Sequence, residues 1–220
     1  MKIFCIIPAY NEEKTISKVI KEVKNYIENI IIVDDGSSDN THELAKKENV
    51  TVLKHIINRG QGASLQTGND YALINNADII VHFDADGQFS PKEIKDIINP
   101  LIRRDADIVF GSRFLGKKSN MPKFKKYLII PLAHLFNKII IGKTLSDPQS
   151  GFRALSKKAA KKIKIENDGM AHCSEIIHKS FKNKLNIKEV PITVFYNEFG
   201  QHFGGGIKII KDIFLSKLIQ

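Results

Sequence analysis

The sequence predicts one α/β domain, in which a mostly parallel central sheet carries helices on both faces. Short runs of β-branched and aromatic residues alternate with longer segments whose apolar residues recur at helical spacing. Such alternation is typical of right-handed βαβ units stacked into a parallel sheet. No internal repeat or long Gly/Pro-rich linker interrupts the 220 residues, so a single domain over residues 1–220 is expected.

Each predicted element has a local reason. The predicted strands are apolar runs at residues 2–8, 30–33, 51–54, 79–83, 108–112 and 187–196. The predicted helices cover residues 12–26, 40–48, 63–75 and 91–103. Asp39 is predicted to cap the second helix. Residues 90–93 (Ser-Pro-Lys-Glu) match a capping box with proline at the first helical position, which predicts the start of the fourth helix.

The charge of the chain favours an anionic partner. Lys and Arg total 34 against 24 Asp and Glu, which gives a formal net charge of +10. Nucleotides, phospholipid surfaces and nucleic acids all fit this charge. A basic nucleic-acid-binding domain is therefore the non-enzyme alternative. It is disfavoured because the chain shows no recognised nucleic-acid motif, and no nucleic acid is expected as a partner.

Cysteine usage and hydropathy indicate the compartment. Cys5 and Cys173 have no zinc-ligand spacing, and nothing in the sequence suggests that they form a disulfide. Both are therefore expected to be packing residues in a reducing cytoplasm. The N-terminal strand is followed at once by polar residues, so no signal peptide is expected. The longest apolar stretch, residues 127–141, is shorter than the roughly 20 residues of a spanning helix. A cytoplasmic protein, peripheral at the membrane, is expected.

The acidic turn at residues 84–88 (Asp-Ala-Asp-Gly-Gln) is the first candidate site. It directly follows the buried strand at 79–83, so the carboxylates of Asp84 and Asp86 can face one ion. Gly87 permits a tight turn, and Gln88 offers a neutral oxygen. Hard oxygen ligands suit Mg²⁺ or Mn²⁺, and Mg²⁺ held by few carboxylates usually also binds substrate phosphates. The turn therefore predicts a metal site for a phosphate-bearing ligand.

Polar segments also follow the other predicted strands of the first half. They are residues 8–12 (Pro-Ala-Tyr-Asn-Glu), 34–37 (Asp-Asp-Gly-Ser), 58–62 (Asn-Arg-Gly-Gln-Gly) and 111–114 (Gly-Ser-Arg-Phe). Ligands of parallel α/β sheets bind outside the carboxyl ends of the strands, where loops and helix N-termini converge. The sequence therefore predicts one composite ligand site at this edge.

These segments together resemble the family 2 glycosyltransferases of the GT-A fold. The resemblance includes residues 146–153 (Ser-Asp-Pro-Gln-Ser-Gly-Phe-Arg), which are similar to a segment on the acceptor side of the dolichyl-phosphate mannose and glucose synthase branch. It covers about residues 3–202. The resemblance implies a Rossmann-like GT-A sheet, with a nucleotide-sugar-binding half at 1–115 and an acceptor-binding half at 116–220.

The resemblance also implies residue roles. The implied donor-binding residues are Pro8, Ala9, Tyr10, Glu12, Asp35, Gly60, Gly62, Asp84, Ala85 and Arg113. The implied metal ligands are Asp84, Asp86 and Gln88, and the implied catalytic residues are Asp86, Asp147 and Arg113. The implied acceptor-binding residues are Asp147, Arg153 and His202. For Asp35 a turn-forming role is the alternative, and Asp34 can hold the turn through backbone N–H groups.

The implied reaction is a metal-dependent, inverting transfer from a UDP- or GDP-sugar to a polyprenyl phosphate. Metal and Arg113 would stabilise the leaving diphosphate. A phosphate monoester is largely a dianion at neutral pH, since its second pKa is about 6, and needs no general base. The alternative enzymatic function keeps the same donor but transfers the sugar to a hydroxyl group of a sugar, protein or small molecule. It would need a carboxylate base, for which Asp147 or Glu175 are candidates.

The last part of the chain bears on the acceptor. Residues 116–126 are rich in lysine and precede the apolar residues 127–141, a juxtaposition that suits an anionic membrane surface or a membrane-anchoring partner. Residues 207–218 have an apolar helical face. The branch typically places Arg and then Gly-Glu-Ser-Lys after its last strand, whereas residues 197–203 read Asn-Glu-Phe-Gly-Gln-His-Phe. His202 is the candidate replacement donor.

Overall fold

The structure, a computed structural model, describes residues 1–116 and 145–195. Its strands are β1 (Ile3–Ala9), β2 (Asn29–Asp34), β3 (Thr51–Lys54), β4 (Ile79–His82), β5 (Ile108–Ser112), β6 (Arg153–Ser156) and β7 (Ile187–Pro191). Its helices are α1 (Ile16–Lys24), α2 (Thr41–Lys47), α3 (Gln61–Ile74), α4 (Ile94–Ile102), α5 (Lys157–Lys162) and α6 (His172–Lys182).

The strands form a seven-stranded sheet in the order β3-β2-β1-β4-β6-β5-β7. β1 pairs in parallel with β2 and β4, β2 with β3, and β5 with β7. β6 runs antiparallel to both of its neighbours, β4 and β5. The predicted mostly parallel α/β sheet is therefore confirmed. The carboxyl ends of β1 to β5 meet at one edge, and the antiparallel β6 begins at that same edge.

Both faces of the sheet are buried under helices. In β1, Cys5 and Ile7 belong to one apolar cluster, together with Ile16 and Val23 of α1. The alternate residue Ile6 belongs to a second cluster, which includes residues of α3, α5 and α6. Strands buried on both faces read as continuous apolar runs instead of alternating ones, which explains why the strand signals are so strong in this sequence.

Several predicted boundaries needed correction. α1 begins at Ile16 instead of residue 12, because Glu12 O first accepts the backbone N–H groups of Thr15 (3.1 Å) and Ile16 (2.9 Å) in a turn. β7 ends at Pro191. Asp39 Oδ1 accepts the N–H of Thr41 at 2.9 Å, but Asn40 takes the N-cap position of α2, one residue later than predicted.

The predicted capping box at residues 90–93 is wrong. The side chain of Ser90 makes no capping hydrogen bond, and a 3₁₀ turn (Pro91–Glu93) precedes α4. The Glu93 carboxylate instead accepts the backbone N–H of Thr193 at 2.8 Å and its hydroxyl at 3.0 Å. A distant tertiary contact thus replaces the local one that the pattern predicted.

The segments whose sequence bears on the acceptor lie outside the described residues. They are the lysine-rich residues beyond Gly116, the apolar residues 127–141 and the C-terminal residues 207–218, and His202 lies outside them too. In the two described ranges, no helix is both long and apolar enough to cross a bilayer.

Candidate functional site

A cavity of about 400 Å³ opens at the carboxyl edge of the sheet. The residues of the predicted site that line it are Pro8, Ala9, Tyr10, Glu12, Asp35, Gly60, Asp84, Ala85, Asp86, Gln88 and Arg113. A cavity of similar volume, about 390 Å³, lies at the opposite edge near Lys2 and Tyr71, and none of the predicted site residues lines it. The structure thus brings the polar strand ends together around one cavity.

Asp84 and Asp86 lie on the turn after β4 and have few partners. Asp84 Oδ1 accepts one hydrogen bond, from the side-chain amide of Gln61 at 2.9 Å. Asp86 Oδ1 accepts the backbone N–H of Gln88 at 2.9 Å, which closes the turn. Gly87 has a φ of +71°, a left-handed conformation that glycine adopts without strain. The turn therefore directs both carboxylates to the cavity with oxygens left over.

The charges of this turn are poorly compensated. Burial and, next, the neighbouring charge of Asp86 raise the pKa of Asp84 to about 7. Burial also raises the pKa of Asp86. The pKa of Glu12, on the same cavity wall, is raised by burial and then by Asp86. A divalent cation would offset this concentrated negative charge.

The donor set fits such an ion only in part. Across residues 1–116 and 145–195, no group of three or more His, Cys, Asp or Glu side chains could hold a metal by itself. Two carboxylates and the amide oxygen of Gln88 leave coordination positions for other ligands. That is the usual arrangement for Mg²⁺, which is held by one or two carboxylates together with substrate phosphates and water.

Asp35, at the end of β2, is by contrast fully engaged. Its carboxylate accepts hydrogen bonds from the ring Nδ1 of His55 at 2.7 Å and from the backbone N–H groups of Arg59 at 3.0 Å and Gly60 at 2.6 Å. The side chain is buried but still contributes to the cavity wall. Asp35 therefore holds the loop before α3 in place, which matches the turn-forming alternative. Asp34 holds its own turn, accepting the N–H of Ser37 at 3.0 Å.

Gly60 and Gly62, in the same region, both pack against another loop of the chain. A Cβ on Gly60, whose φ is +109°, would lie 2.4 Å from the carbonyl oxygen of Asp168. On Gly62 it would lie 2.0 Å from that of Asn167, and the Gly62 N–H donates to Asp168 O at 2.7 Å. The loop that contains Asn167 and Asp168 therefore packs closely against both glycines. Gly62 does not line the cavity.

Arg113 and Asp147 form a bidentate ion pair. Arg113 Nε donates to Asp147 Oδ2 and Arg113 Nη2 to Oδ1, each at 2.6 Å, and the Arg113 backbone N–H adds a bond of 3.1 Å. Asp147 is only 1% exposed, and it does not line the cavity. Asp147 thus lies behind Arg113 and orients its guanidinium, which does face the cavity.

Two other predicted residues lie away from the cavity. Arg153 is 1% exposed and lies beneath the cavity floor, a position that does not fit the predicted contact with an acceptor phosphate. Glu175 accepts backbone N–H groups of Glu166 at 3.0 Å and Asn167 at 2.9 Å, and pairs with Lys179 at 2.7 Å. Burial raises the pKa of Glu175, but the hydrogen bonds together outweigh it and lower the pKa below its ordinary value. Glu175 is therefore a poor proton acceptor.

The structure adds residues to the site that the sequence analysis missed. Gln61, Ser64, Gln149 and Ser150 all line the cavity. In the part of the chain that the structure describes, Ser64 Oγ, Gln149 Oε1 and Ser150 Oγ are buried without a hydrogen-bond partner. An unsatisfied buried polar group costs about 1–3 kcal/mol, so this wall is suited to a polar ligand. Gln149 and Ser150 lie in the 146–153 segment and Gln61 lies in the 58–62 segment, whereas nothing in the sequence distinguished Ser64.

Comparisons with known proteins agree with this geometry. The family model described as glycosyl transferase family 2 matches residues 4–164. A UDP-N-acetylglucosamine–dolichyl-phosphate N-acetylglucosaminyltransferase of Methanococcus voltae is 39% identical over 239 residues, which cover 99% of this chain and 95% of the relative. A dolichol-phosphate mannosyltransferase of Pyrococcus furiosus is 32% identical over 205 residues, covering 88% of this chain and 56% of the relative.

Solved structures share the fold. Glucosyl-3-phosphoglycerate synthase from Mycobacterium tuberculosis, in complex with Mn²⁺, UDP-glucose and phosphoglyceric acid, matches 96% of this chain and 78% of its own with a TM-score of 0.73. The sequence identity is 18%, so the likeness concerns architecture. It confirms the GT-A fold predicted from the strand-end segments.

Proposed function

The chain belongs to glycosyltransferase family 2, and we propose that it transfers a sugar from a UDP- or GDP-sugar to a polyprenyl phosphate. The predicted relationship to the dolichyl-phosphate sugar synthases is confirmed by the relatives, and the protein is a glycosyltransferase. The observation that carries the proposed reaction is the undercompensated pair Asp84 and Asp86, which shares one cavity with Arg113. That combination suits a nucleoside diphosphate bound with a divalent cation.

The donor site follows from the order of groups around the cavity. Pro8, Tyr10 and Asp35 line the end formed by β1 and β2, where the nucleoside is proposed to bind. Asp84, Asp86 and Gln88 would hold Mg²⁺ or Mn²⁺, which when bound supplies Lewis-acid stabilisation of the diphosphate.

Arg113 contributes a charge of the chain's own. Its guanidinium is held in one orientation by Asp147, so it is preorganised to stabilise the negative charge that grows on the leaving diphosphate. Because Asp147 supports the arginine from behind, we propose it as a positioning residue instead of an acceptor ligand. The side-chain oxygens of Ser64, Gln149 and Ser150, which have no hydrogen-bond partner, are available to the polar part of the substrates.

The acceptor proposal rests on where the candidate bases lie. The two residues predicted as bases for a hydroxyl acceptor, Asp147 and Glu175, are both held by the chain's own donors, and neither lines the cavity. A phosphate monoester with a second pKa of about 6 needs no base at neutral pH. The Methanococcus voltae relative bears the name of a dolichyl-phosphate transferase, which supports the same choice. Since a polyprenyl chain lies in a bilayer, the reaction is proposed to occur at a membrane surface.

The test is a transfer assay with a panel of UDP-N-acetylglucosamine, UDP-glucose and GDP-mannose, using Mn²⁺ and a short-chain polyprenyl phosphate in detergent. We expect a polyprenyl-phosphate sugar, detected by mass spectrometry, from one donor and only with the metal. The matched control is Glu175→Gln, which should keep its turnover because Glu175 takes no part in the chemistry. Efficient transfer to a hydroxyl acceptor in lipid-free buffer, lost in Glu175→Gln, would contradict the proposal.

A further inference from the structure

A buried ionic cluster lies directly beneath the cavity floor. Arg153, the first residue of β6, points its Nη2 at the Sγ atom of Cys173 at 3.3 Å. The Nε2 atom of His172 lies 3.4 Å from the same sulfur, and its Nδ1 bonds to the carbonyl oxygen of Gly169 at 2.9 Å. All three side chains of this cluster, Arg153, His172 and Cys173, are at most 2% exposed.

The cluster is organised around the charge of Arg153. A guanidinium stays protonated in proteins, and burying it without an anion carries a large free-energy penalty. Within the described ranges its hydrogen-bond partners are the carbonyl oxygen of Gly151, at 3.3 Å, and the sulfur of Cys173. Burial disfavours the thiolate, yet His172 and Arg153 outweigh it and lower the pKa of Cys173 to about 6. His82, opposite Arg153 in the sheet, is kept neutral because burial lowers its pKa.

The cluster is connected to the proposed metal site through Gly151. The carbonyl oxygen of Gly151 accepts a hydrogen bond from Arg153 Nε. The Cα of Gly151 faces the carboxylate of Asp84. A Cβ added at Gly151 would lie only 2.4 Å from Asp84 Oδ2. The position of the Gly151 backbone therefore sets where the Asp84 carboxylate can lie, and Arg153 is the side chain that holds that backbone from below.

We propose that Cys173 is a positioning residue, the thiolate counter-ion of Arg153, which fixes the Gly151 wall and leaves the Asp84 carboxylate free for the metal. Arg153 and Cys173 act on Asp84 with opposite signs, because the guanidinium attracts its carboxylate and the thiolate repels it. Without the thiolate, Asp84 would be the remaining anion near Arg153 and would be drawn away from the ion. This inference rests on the proposed function, because it concerns the metal of the same site. It gives Cys173 a role beyond the packing role that was expected for both cysteines.

Cys5 provides a matched control within the chain. It is also buried and free, but it lies in β1 among apolar neighbours of the sheet. Burial raises its pKa far above the ordinary value, so it stays a neutral thiol. The two cysteines thus differ in charge state and not in exposure, and Cys5→Ala removes a buried sulfur without removing an ion pair.

The test compares Cys173→Ala, Cys173→Ser, Cys173→Asp and Cys5→Ala by two readouts. The first is the ultraviolet thiolate absorbance of the folded protein at neutral pH, which should be present in wild type and Cys5→Ala and absent from the Cys173 variants. The second is Mn²⁺ affinity in the presence of UDP or of GDP, followed by electron paramagnetic resonance. Cys173→Ala and Cys173→Ser should weaken Mn²⁺ binding about tenfold, the scale of losses when a residue supporting a metal ligand is removed. Cys173→Asp should restore it, and Cys5→Ala should leave it unchanged.

The outcomes separate this inference from the proposed function. Cys173→Ala protein that binds Mn²⁺ as wild type does, or wild type without thiolate absorbance, would overturn the positioning role while donor transfer stands. Wild type that shows the thiolate but binds no Mn²⁺ with either UDP or GDP would refute the proposed metal site, and the link from Cys173 to it as well. Thermal unfolding of each variant checks that the fold is retained. If Cys173→Asp does not fold, the contrast in Mn²⁺ affinity between Cys173→Ser and Cys5→Ala still tests the positioning role.

Discussion

Two aspartate pairs end parallel strands at the same edge of this sheet, and the structure treats them in opposite ways. Asp34 and Asp35 follow β2, and their carboxylates are met by backbone N–H groups and a histidine ring of the chain itself. Asp84 and Asp86 follow β4 and receive one hydrogen bond each, from Gln61 and Gln88. Asp35 accepts three hydrogen bonds in the free protein, whereas Asp84 and Asp86 are left with negative charge that a proton or a divalent cation can balance.

The difference shows how to distinguish a structural carboxylate from a binding one. Both pairs are adjacent to a glycine and follow buried strands, so their sequence context is similar. What separates them is the supply of donors. The loop at residues 55–60 folds back onto Asp35, while the only side-chain donor that reaches Asp84 is one glutamine among the described residues. The raised pKa values of Asp84 and Asp86 are the electrostatic consequence.

The largest effect is expected from removing one charge of the undercompensated pair. Asp86→Asn should lower metal-dependent turnover at least about a hundredfold, because the leaving diphosphate loses its metal. The folded state of the free protein should become more stable, since a buried carboxylate with a raised pKa is removed. Turnover and thermal unfolding, measured on the same preparation, check both parts. A variant that is destabilised and fully active would reverse the roles assigned to the two pairs.

Displacing Asp84 without changing its charge should have the next largest effect. Gly151→Ala places a Cβ 2.4 Å from Asp84 Oδ2 and should weaken Mn²⁺ binding with UDP about tenfold or more. Gly169→Ala is the matched control, because a Cβ there meets nothing within 4 Å. Calorimetric titration measures both. Equal affinities for the two variants would show that the Gly151 backbone does not position Asp84.

Removing the hydrogen-bonded carboxylate of Asp35 should lower the stability of the fold. Asp35→Ala removes a carboxylate that accepts three hydrogen bonds and should lower the free energy of unfolding by about 3 kcal/mol. Donor affinity should also fall, since the loop that Asp35 holds lines the cavity. Asp168→Ala is the control, because its ion pair with Arg59 is half exposed and long, at 3.7 Å. Urea unfolding gives the comparison, and an unchanged stability of Asp35→Ala would argue against its structural role.

The smallest expected effect is a pH dependence confined to the undercompensated pair. The pKa of Asp84 is raised from 3.8 to about 7, so its protonated form is favoured in the folded free protein. The resulting stability is present at low pH and is lost as pH rises through about 7. Metal binding requires the ionised form, so Mn²⁺ affinity should fall by up to about tenfold per unit below that pH. Titration in buffers of different ionisation enthalpy counts the proton released. Affinity that is flat from mildly acidic to mildly basic pH would contradict the pKa assignment.

The fold could be predicted largely from local patterns. Strands buried on both faces give strong apolar runs, so β1 to β5 were located to within a residue or two at each end. The antiparallel β6 was not predicted, because Arg153 begins it and a buried arginine gives no strand signal. The start of α4 was also misassigned, since Glu93 bonds to Thr193, about a hundred residues away along the chain, and local sequence carries no trace of that contact.

The candidate site was predictable only where its chemistry lies on strand ends. Residues such as Asp84, Asp86 and Arg113 follow strands and could be placed at one edge by topology. The roles of Asp147 and Arg153 depended on which way a side chain points and on what lies beneath it. Cys173 illustrates the same limit: its charged partners, Arg153 and His172, come from different elements, and the sequence analysis treated it like Cys5.

The most direct test of the account is isothermal titration of the wild-type protein with UDP- and GDP-sugars, first with Mn²⁺ and then with excess chelator. If Asp84 and Asp86 hold a metal that bridges to the diphosphate, one donor should bind with Mn²⁺ and lose its affinity when the metal is removed, and Asp86→Asn should show neither behaviour. Donor binding of equal strength in chelator, unchanged in Asp86→Asn, would contradict the assignment of the undercompensated pair to a metal.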